Sequence, residues 1–470
     1  MRIVCLWLLL FTTTVKAQTD STFYDIVKDS IITKFNRGDF KGIYAMADTG
    51  FKAAFREEQI VGILNSAGTL GKILSSELIS EEKEQRSYRL IFAKKSLQLS
   101  LGVVSPVSYV SFGLSFYKLP IVRTRQHFLA DNPLKTQLDS VVQKAVTVYM
   151  SNKNVAGLSV GIVRNGQLYM YNYGEMKKGE GRLPGVNTIF EIGSVTKTFT
   201  GILLANAVLE GKVKLDDDIR KYLDGNYPNL QYNGQPVQLV HLSNHTSGFP
   251  SMPKLNNGED PFSPSVQVTP AMMAEILHRV TLDTVPGTRR SYSNFAVGLL
   301  GHILEKVYKT NYEQLVKKYI LDLYHMQHTK ISLSPDDYKD FATGYDMEGR
   351  STAYWINRLA TPAGGIRSTT HDMLLYIRQQ LDPRNKAAQL SHQLTFGDTT
   401  RGTGLNWGIA TTSSGKHRQW SHDGGTDGFT SLCIIYPELK AGIMLLTNTG
   451  DHFDDSFNEI ARAVYRSWLR

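Results

Sequence analysis

Cysteine is almost missing from this chain: Cys5 and Cys433 are the two in 470 residues. A disulfide framework is therefore excluded as the source of its stability. Charge is sparse too, at 20% Asp, Glu, Lys and Arg against 41% hydrophobic residues, so the chain reads as globular and not as a disordered polymer. The formal net charge of +9 is not gathered into a dense basic run with interleaved aromatics. No nucleic-acid partner is expected from it, and a basic solvated surface attracts an anionic envelope only weakly. Internal repeats and low-complexity tracts are also lacking. No apolar stretch reaches the roughly 20 residues that a spanning helix needs, so no stable membrane span is expected.

The apolar run that does exist, Ile3 to Phe11, follows Met1-Arg2 and precedes Val15-Lys16-Ala17. That is the charged, apolar, small-residue order of a secretory signal, with cleavage expected after Ala17 and the mature protein periplasmic or extracellular. Removal of residues 1–17 takes Cys5 with it and, through Arg2 and Lys16, lowers the formal charge from +9 to +7. Cys5 falls too early in the apolar run to be a lipid-attachment site.

A length of 470 residues exceeds one typical domain. Residues 20–118 read as a small α+β accessory unit. Tyr24, Val27, Ile31 and Phe35 keep helical spacing, and the runs Tyr88-Leu90-Phe92, Leu97-Leu99-Leu101 and Val110-Phe112-Leu114-Phe116 alternate as strands. No chemistry-bearing cluster appears there, so an accessory or binding module is expected, with association with the cell envelope as a candidate role. Residues 119–134, with Pro120 and Pro133, read as a linker. From 135 a larger domain begins with an amphipathic helix over Leu138, Val141, Val142, Ala145, Val148 and Tyr149. Asn165-Gly166 between apolar strands is a hairpin signal, and Leu432–Tyr436 with Ile443–Thr447 form a second hairpin. A last helix carries Phe457, Ile460, Ala461, Val464 and Trp468 on one face. The middle is mostly helical. The expected class is α/β (α+β): an antiparallel sheet flanked by helices, with an inserted helical subdomain and the small N-terminal domain in front.

Three constellations in the larger domain carry chemistry. In Ile192-Gly193-Ser194-Val195-Thr196-Lys197, a helix from Ser194 to Leu209 puts Lys197 on the face of Ser194, a hydroxyl with an amine neighbour. The pair alone is cheap, because Ser80/Lys83, Ser115/Lys118, Ser251/Lys254 and Ser413/Lys416 share the spacing, and Ser194 also reads as an N-cap. Its context differs: Gly193 precedes it, the helix behind it is apolar nearly all round, and Gly211 ends that helix. Tyr292-Ser293-Asn294 sits at a loop-to-helix boundary, where a nearby cation favours phenolate; Tyr227-Pro228-Asn229 repeats its spacing without the helix. His422-Asp423-Gly424-Gly425 precedes the C-terminal hairpin, with glycines that let a substrate approach the backbone.

Together and in this order, Ser-x-x-Lys, Tyr-x-Asn and His-x-Gly resemble the serine β-lactamase superfamily, in the branch of class C β-lactamases, low-molecular-weight penicillin-binding proteins, D-amino-acid peptidases and esterases. Leu242-Ser243-Asn244-His245-Thr246-Ser247-Gly248, Pro286-Gly287, Ala363-Gly364-Gly365 and Leu446-Thr447-Asn448 extend the resemblance over 135–470. The resemblance implies Ser194 as acylated nucleophile, Lys197 as its proton partner and Tyr292 as shared acid and base. It implies Asn294, His422 and Gly424 as substrate contacts, the N–H groups of Ser194 and Gly425 as oxyanion hole, and His245 as a structural loop histidine. No metal and no cofactor is implied; the partner is a small-molecule or peptide substrate. One departure limits that substrate, since many relatives carry lysine where His422 stands and a histidine is mostly neutral at pH 7. The expectation is an esterase or D-stereospecific peptidase sooner than an efficient β-lactamase, with a non-turnover penicillin-binding sensor as the alternative.

Overall fold

The computed structural model describes residues 21–82, 84–92, 96–117, 120–253, 255, 269–355, 359–412, 414–450 and 454–469. The leader read over residues 1–17 lies outside them. Contacts divide the chain into two compact units between Pro120 and Ile121.

In the first unit, helix α1 (Ser21–Asn36) buries Tyr24, Val27, Ile31 and Phe35, the stripe that the sequence spacing predicts. Helix α2 (Glu57–Gly68) adds Ile60, Leu64 and Ala67 to the same core. Four antiparallel strands follow as a meander, β1 (Ile73–Glu82), β2 (Gln85–Phe92), β3 (Ser96–Ser105) and β4 (Ser108–Phe116). Leu97, Leu99 and Leu101 are fully buried as the alternation requires. Two details depart from the sequence reading. Strand β1 exposes Leu74, Leu78 and Ile79 and buries little beyond Ile73, so this edge strand has no alternation to betray it. In β4 the pairing slips where Gly102 and Val103 face Ser111 and Tyr109, so Tyr109 turns inward and Val110 outward.

The second unit is built on an eight-stranded antiparallel sheet. Strands β5 (Gly157–Arg164) and β6 (Gln167–Gly174) form the predicted hairpin, with Asn165 and Gly166 both at positive φ, 49° and 80°, as its tight turn demands. Two-residue strands β7 (Phe190–Glu191) and β8 (Arg367–Ser368) pair with one another apart from this sheet. The sheet is completed by β9 (Phe396–Gly397), β10 (Arg401–Thr403), β11 (Gly408–Thr411), β12 (Arg418–Gly425), β13 (Thr430–Tyr436) and β14 (Ala441–Thr447), in the order β9-β10-β11-β12-β13-β14-β5-β6. N-terminal and C-terminal strands thus meet along β14 and β5, from Ala441 opposite Arg164 to Thr447 opposite Leu158.

Helix α3 (Gln137–Met150) and the last helix α4 (Asp455–Ser467) share one core with a face of this sheet. The buried stripe of α3 is Val142, Ala145, Val146 and Tyr149, an i, i+3, i+4, i+7 set; Val148, expected on that face, is about half exposed because it falls off the stripe. Residues 121–134, read as a linker, run along this unit: Arg123 bridges to Asn152, and Ala130 to Tyr173 beside β6. The helices of the middle segment pack over the opposite face around a larger core that includes Phe199, Phe295, Tyr376 and Trp407.

Candidate active site

The helix behind Ser194 begins earlier and more tightly than the periodicity predicts. Gly193–Val195 form a 3₁₀ turn, and α5 (Thr196–Leu209) continues from it, which renumbers nothing in the Ser-x-x-Lys spacing but tilts Ser194 onto the first turn. Eleven of the fourteen α5 residues are buried, from Thr196 through Ala205 and Ala207, so the helix is fixed on all sides. Phe199 stacks on Tyr376 at 4.3 Å, and the Tyr376 hydroxyl donates to Thr198 Oγ1 at 2.9 Å. Gly193 sits at φ +48°, and a Cβ there would come within 2.5 Å of the Gly425 nitrogen. A Cβ on Gly424 would meet Ile192 O at 2.1 Å and the Ser194 nitrogen at 3.0 Å. Glycine at both places is what lets the end of β12 lie against the first turn of the helix.

Lys197 is fully buried beneath Ser194. Its Nζ lies 2.9 Å from Ser194 Oγ, 2.8 Å from Asn294 Oδ1 and 2.6 Å from the Ala363 carbonyl oxygen. Burial drives the pKa of this amine down to about 7, with the Asp423 carboxylate working in the opposite direction. A neutral amine has two N–H bonds and one lone pair. Asn294 Oδ1 and Ala363 O can only accept, so they take the two hydrogens, and the lone pair faces the Ser194 hydroxyl. The Tyr292 hydroxyl donates to Ser194 Oγ from another side at 2.8 Å. Lys197 Nζ also stands 4.9 Å from the Tyr292 ring centroid.

Tyr292 and Asn294 are placed by a helix start. Ser293 caps α6 (Asn294–Tyr308), accepting the Ala296 N–H at 2.9 Å, and its own hydroxyl donates to Pro250 O at 2.8 Å. His245 holds the same corner. It takes φ +65°, its carbonyl accepts the Ser291 N–H at 2.7 Å, its Nδ1 accepts the Ser293 N–H at 3.3 Å, and its ring lies 4.3 Å from that of Tyr292. The histidine read as structural is therefore also the backing of Tyr292. Tyr227 and Asn229, the competing Tyr-x-Asn, are spent locally: the Tyr227 hydroxyl donates to Asp224 O, and Asn229 Nδ2 donates to Leu277 O and Val280 O.

His422 lies on β12 opposite Cys433, with the Gly424–Gly425 step two residues on. Its Nδ1 is 2.7 Å from Asp423 O. Burial holds the imidazole below its ordinary pKa, the charges of Lys197 and Arg290 push the same way, and Asp423 opposes them. At neutral pH it is uncharged. Cys433, buried behind it, has its thiol pushed up to about 12 by burial and is inert. Among the described residues no group of three or more His, Cys, Asp and Glu is arranged to hold a metal ion. His241 and His245, four apart, have separate partners, His241 Nδ1 accepting the Gln238 N–H at 3.1 Å and His245 Nδ1 the Ser293 N–H at 3.3 Å.

The structure thus brings together Ser194, Lys197, Tyr292, Asn294, Gly424 and Gly425, and sets His422 within electrostatic reach. Sequence reasoning assigned no part to the Ala363 carbonyl or to Asp423. The first carries no side-chain signature at all. The second was written in the His422-Asp423-Gly424 run and could have been read as the carboxylate nearest the lysine.

A helical cluster over one face of an antiparallel sheet, with a serine at the buried junction, is the β-lactamase/transpeptidase fold. The solved structure of a class C β-lactamase aligns with it at a TM-score of 0.62 and 25% identity, covering 72% of this chain and 98% of that one. A structure titled as a β-lactamase/D-alanine carboxypeptidase from Pseudomonas syringae shares the fold at 0.62 and 22% identity, over 70% and 99% of the two chains. A profile of the family described as Beta-lactamase matches residues 142–466. Over 349 residues the chain is 30% identical to a β-lactamase of Pseudomonas fluorescens, covering 67% of this chain and 94% of the relative. It is 27% identical over 351 residues to the β-lactamase of Escherichia coli K12, covering 66% and 89%. Protein flp of Staphylococcus aureus strain MRSA252 matches at 27% over 68% of this chain and 64% of its own length. The chain belongs to the β-lactamase family, and it is a serine hydrolase of that family.

Proposed function

We propose that this protein is an exported hydrolase that cleaves ester, amide or D-amino-acid peptide bonds through an acyl-enzyme on Ser194. The observation that carries the reading is Ser194 Oγ held between Lys197 Nζ at 2.9 Å and the Tyr292 hydroxyl at 2.8 Å. Neutral Lys197 accepts the serine proton as Oγ attacks the substrate carbonyl. The backbone N–H groups of Ser194 and Gly425 receive the developing oxyanion at the helix start. Tyr292 delivers a proton to the leaving group and, with Lys197, activates the water that releases the acyl group. Asn294 orients Lys197 through Oδ1 and turns its amide nitrogen to the substrate.

His422 steers the choice among substrates. Uncharged at pH 7, with its one N–H directed to the Asp423 carbonyl, it offers a substrate carboxylate no fixed charge and no second donor, which disfavours efficient β-lactam turnover. A β-lactamase, or a sensor that is acylated without turnover, is the second reading, supported by the relatives that carry the β-lactamase name. Export rests on the order of residues 1–17, and association with the envelope through the N-terminal unit is part of the same proposal. Steady-state hydrolysis of aryl esters, D-alanyl peptides and a chromogenic cephalosporin by the wild type and Ser194→Ala tests it. Turnover of an ester or peptide above the cephalosporin, lost in Ser194→Ala, is expected; a stable adduct with no turnover of any of them establishes the sensor. N-terminal sequencing of the secreted protein is expected to begin at Gln18.

A further inference from the structure

A buried carboxylate and a buried guanidinium lie on the short strand pair that leads into the nucleophile and take no part in the mechanism above. Glu191 and Arg367 face each other in the register of β7 and β8, 4% and 7% exposed. Glu191 Oε1 accepts the Trp355 N–H at 2.6 Å. Arg367 donates to the carbonyl of the same Trp355, to Ile331 O at 2.6 Å and to Gly365 O at 3.4 Å. Two parts of the site converge on these two side chains. Glu191 lies on the strand that runs into Gly193 and Ser194. Gly365 follows the Ala363-Gly364 step, where Ala363 O accepts from Lys197 and the Trp355 ring edge lies 3.5 Å from where a Cβ of Gly364 would stand.

We propose that Glu191, acting with Arg367 on the two sides of the Trp355 backbone, is a positioning residue for acylation: its ionised carboxylate holds, through Trp355, the Ala363–Gly365 step in the geometry that Ser194 requires. The inference rests on the acyl-enzyme reading of Ser194. An ionised carboxylate accepts the Trp355 N–H more strongly than a protonated one, because a hydrogen bond to a charged acceptor is the stronger. The charged and titratable groups that face it are Arg367, which favours the ionised form, Asp427, which disfavours it, and Tyr354. Burial raises the Glu191 pKa to about 7, so the hold tightens as pH rises through neutrality. Lys197 deprotonates over the same interval, and the charge that acts on it is Asp423, not Glu191.

Two ionisations near pH 7 that both favour activity give a steep acid limb. The test is kcat and KM for an aryl ester from pH 5 to 9 with the full chain, as wild type, Glu191→Gln and Glu191→Asp, with fluorophosphonate labelling of Ser194 and a melting curve for each. Wild-type kcat/KM is expected to fall by more than tenfold per pH unit at the acid end. Glu191→Gln is expected to fall with the slope of a single group, with kcat lowered about tenfold to hundredfold and KM little changed. Glu191→Asp, which keeps the charge, is expected to keep the steep limb. A folded Glu191→Gln with wild-type slope and kcat overturns the proposal. Should the glutamine variant not fold, a folded Glu191→Asp with a single-group limb overturns it equally. Failure of the wild type to label at Ser194 would instead remove the acyl-enzyme reading beneath it.

Discussion

At the scale of single residues the account turns on the protonation of Lys197. A lysine whose burial brings its pKa to about 7 is a base at neutral pH and an ammonium below it, so kcat/KM is expected to rise with pH through about 7 and to collapse on the acid side. A pH–rate profile on an aryl ester reads this directly. Lys197→Ala and Tyr292→Phe are each expected to lower kcat by about 10²–10⁴-fold while the fold persists. His422→Lys adds the fixed charge that the native residue lacks at neutral pH, and is expected to raise the rate of acylation by a penicillin about tenfold, read by stopped-flow or intact mass. The serine, lysine and tyrosine were legible from spacing and order. The partners that tune them were not: Ala363 acts through its carbonyl from 166 residues away, and no pattern of side chains marks that.

At the scale of elements, the site exists because the end of β12 touches the first turn before α5. That contact needs hydrogen in place of a side chain on Gly193 and Gly424. Gly424→Ala would force a methyl to within 2.1 Å of Ile192 O and 2.4 Å of Ser431 Oγ. The strand end must move, at a cost of about 1–3 kcal/mol in stability, and because the oxyanion edge moves with it the loss of activity is expected to exceed what the melting temperature alone accounts for. Elements with strong periodicity were legible: the Asn165-Gly166 hairpin, the Phe457 to Val464 face, the apolar helix behind Ser194. Where they were not, local rules had been displaced by neighbours. The pairing slip at Gly102 and Val103 inverts Tyr109 and Val110, and edge strand β1 needs no apolar alternation because neither face of it is fully covered.

At the scale of the whole molecule, each unit has a core of its own. The first closes around Phe35, Leu64, Leu99 and Tyr109, and the second around two cores on the faces of the eight-stranded sheet. The fragment 121–470 is therefore expected to fold and to retain hydrolysis of small esters, checked by circular dichroism and kcat/KM beside the full chain. A boundary placed at 135 would cut through Arg123, which pairs with Asp454 at 2.8 Å, and Asn132, which donates to Tyr173 at 2.8 Å. Proline and charge made residues 119–134 resemble a linker, whereas these long-range contacts, invisible to composition, tie residues 121–134 to the catalytic unit.

The central claim is that Ser194 is the acylated residue, and intact-mass and peptide mapping after exposure to a fluorophosphonate tests it most directly. The account predicts one adduct per chain, on the peptide that contains Ser194, formed faster at pH 8 than at pH 6 and absent from Ser194→Ala. A folded wild-type protein that carries no adduct at Ser194, or that labels equally well in Ser194→Ala, would contradict it.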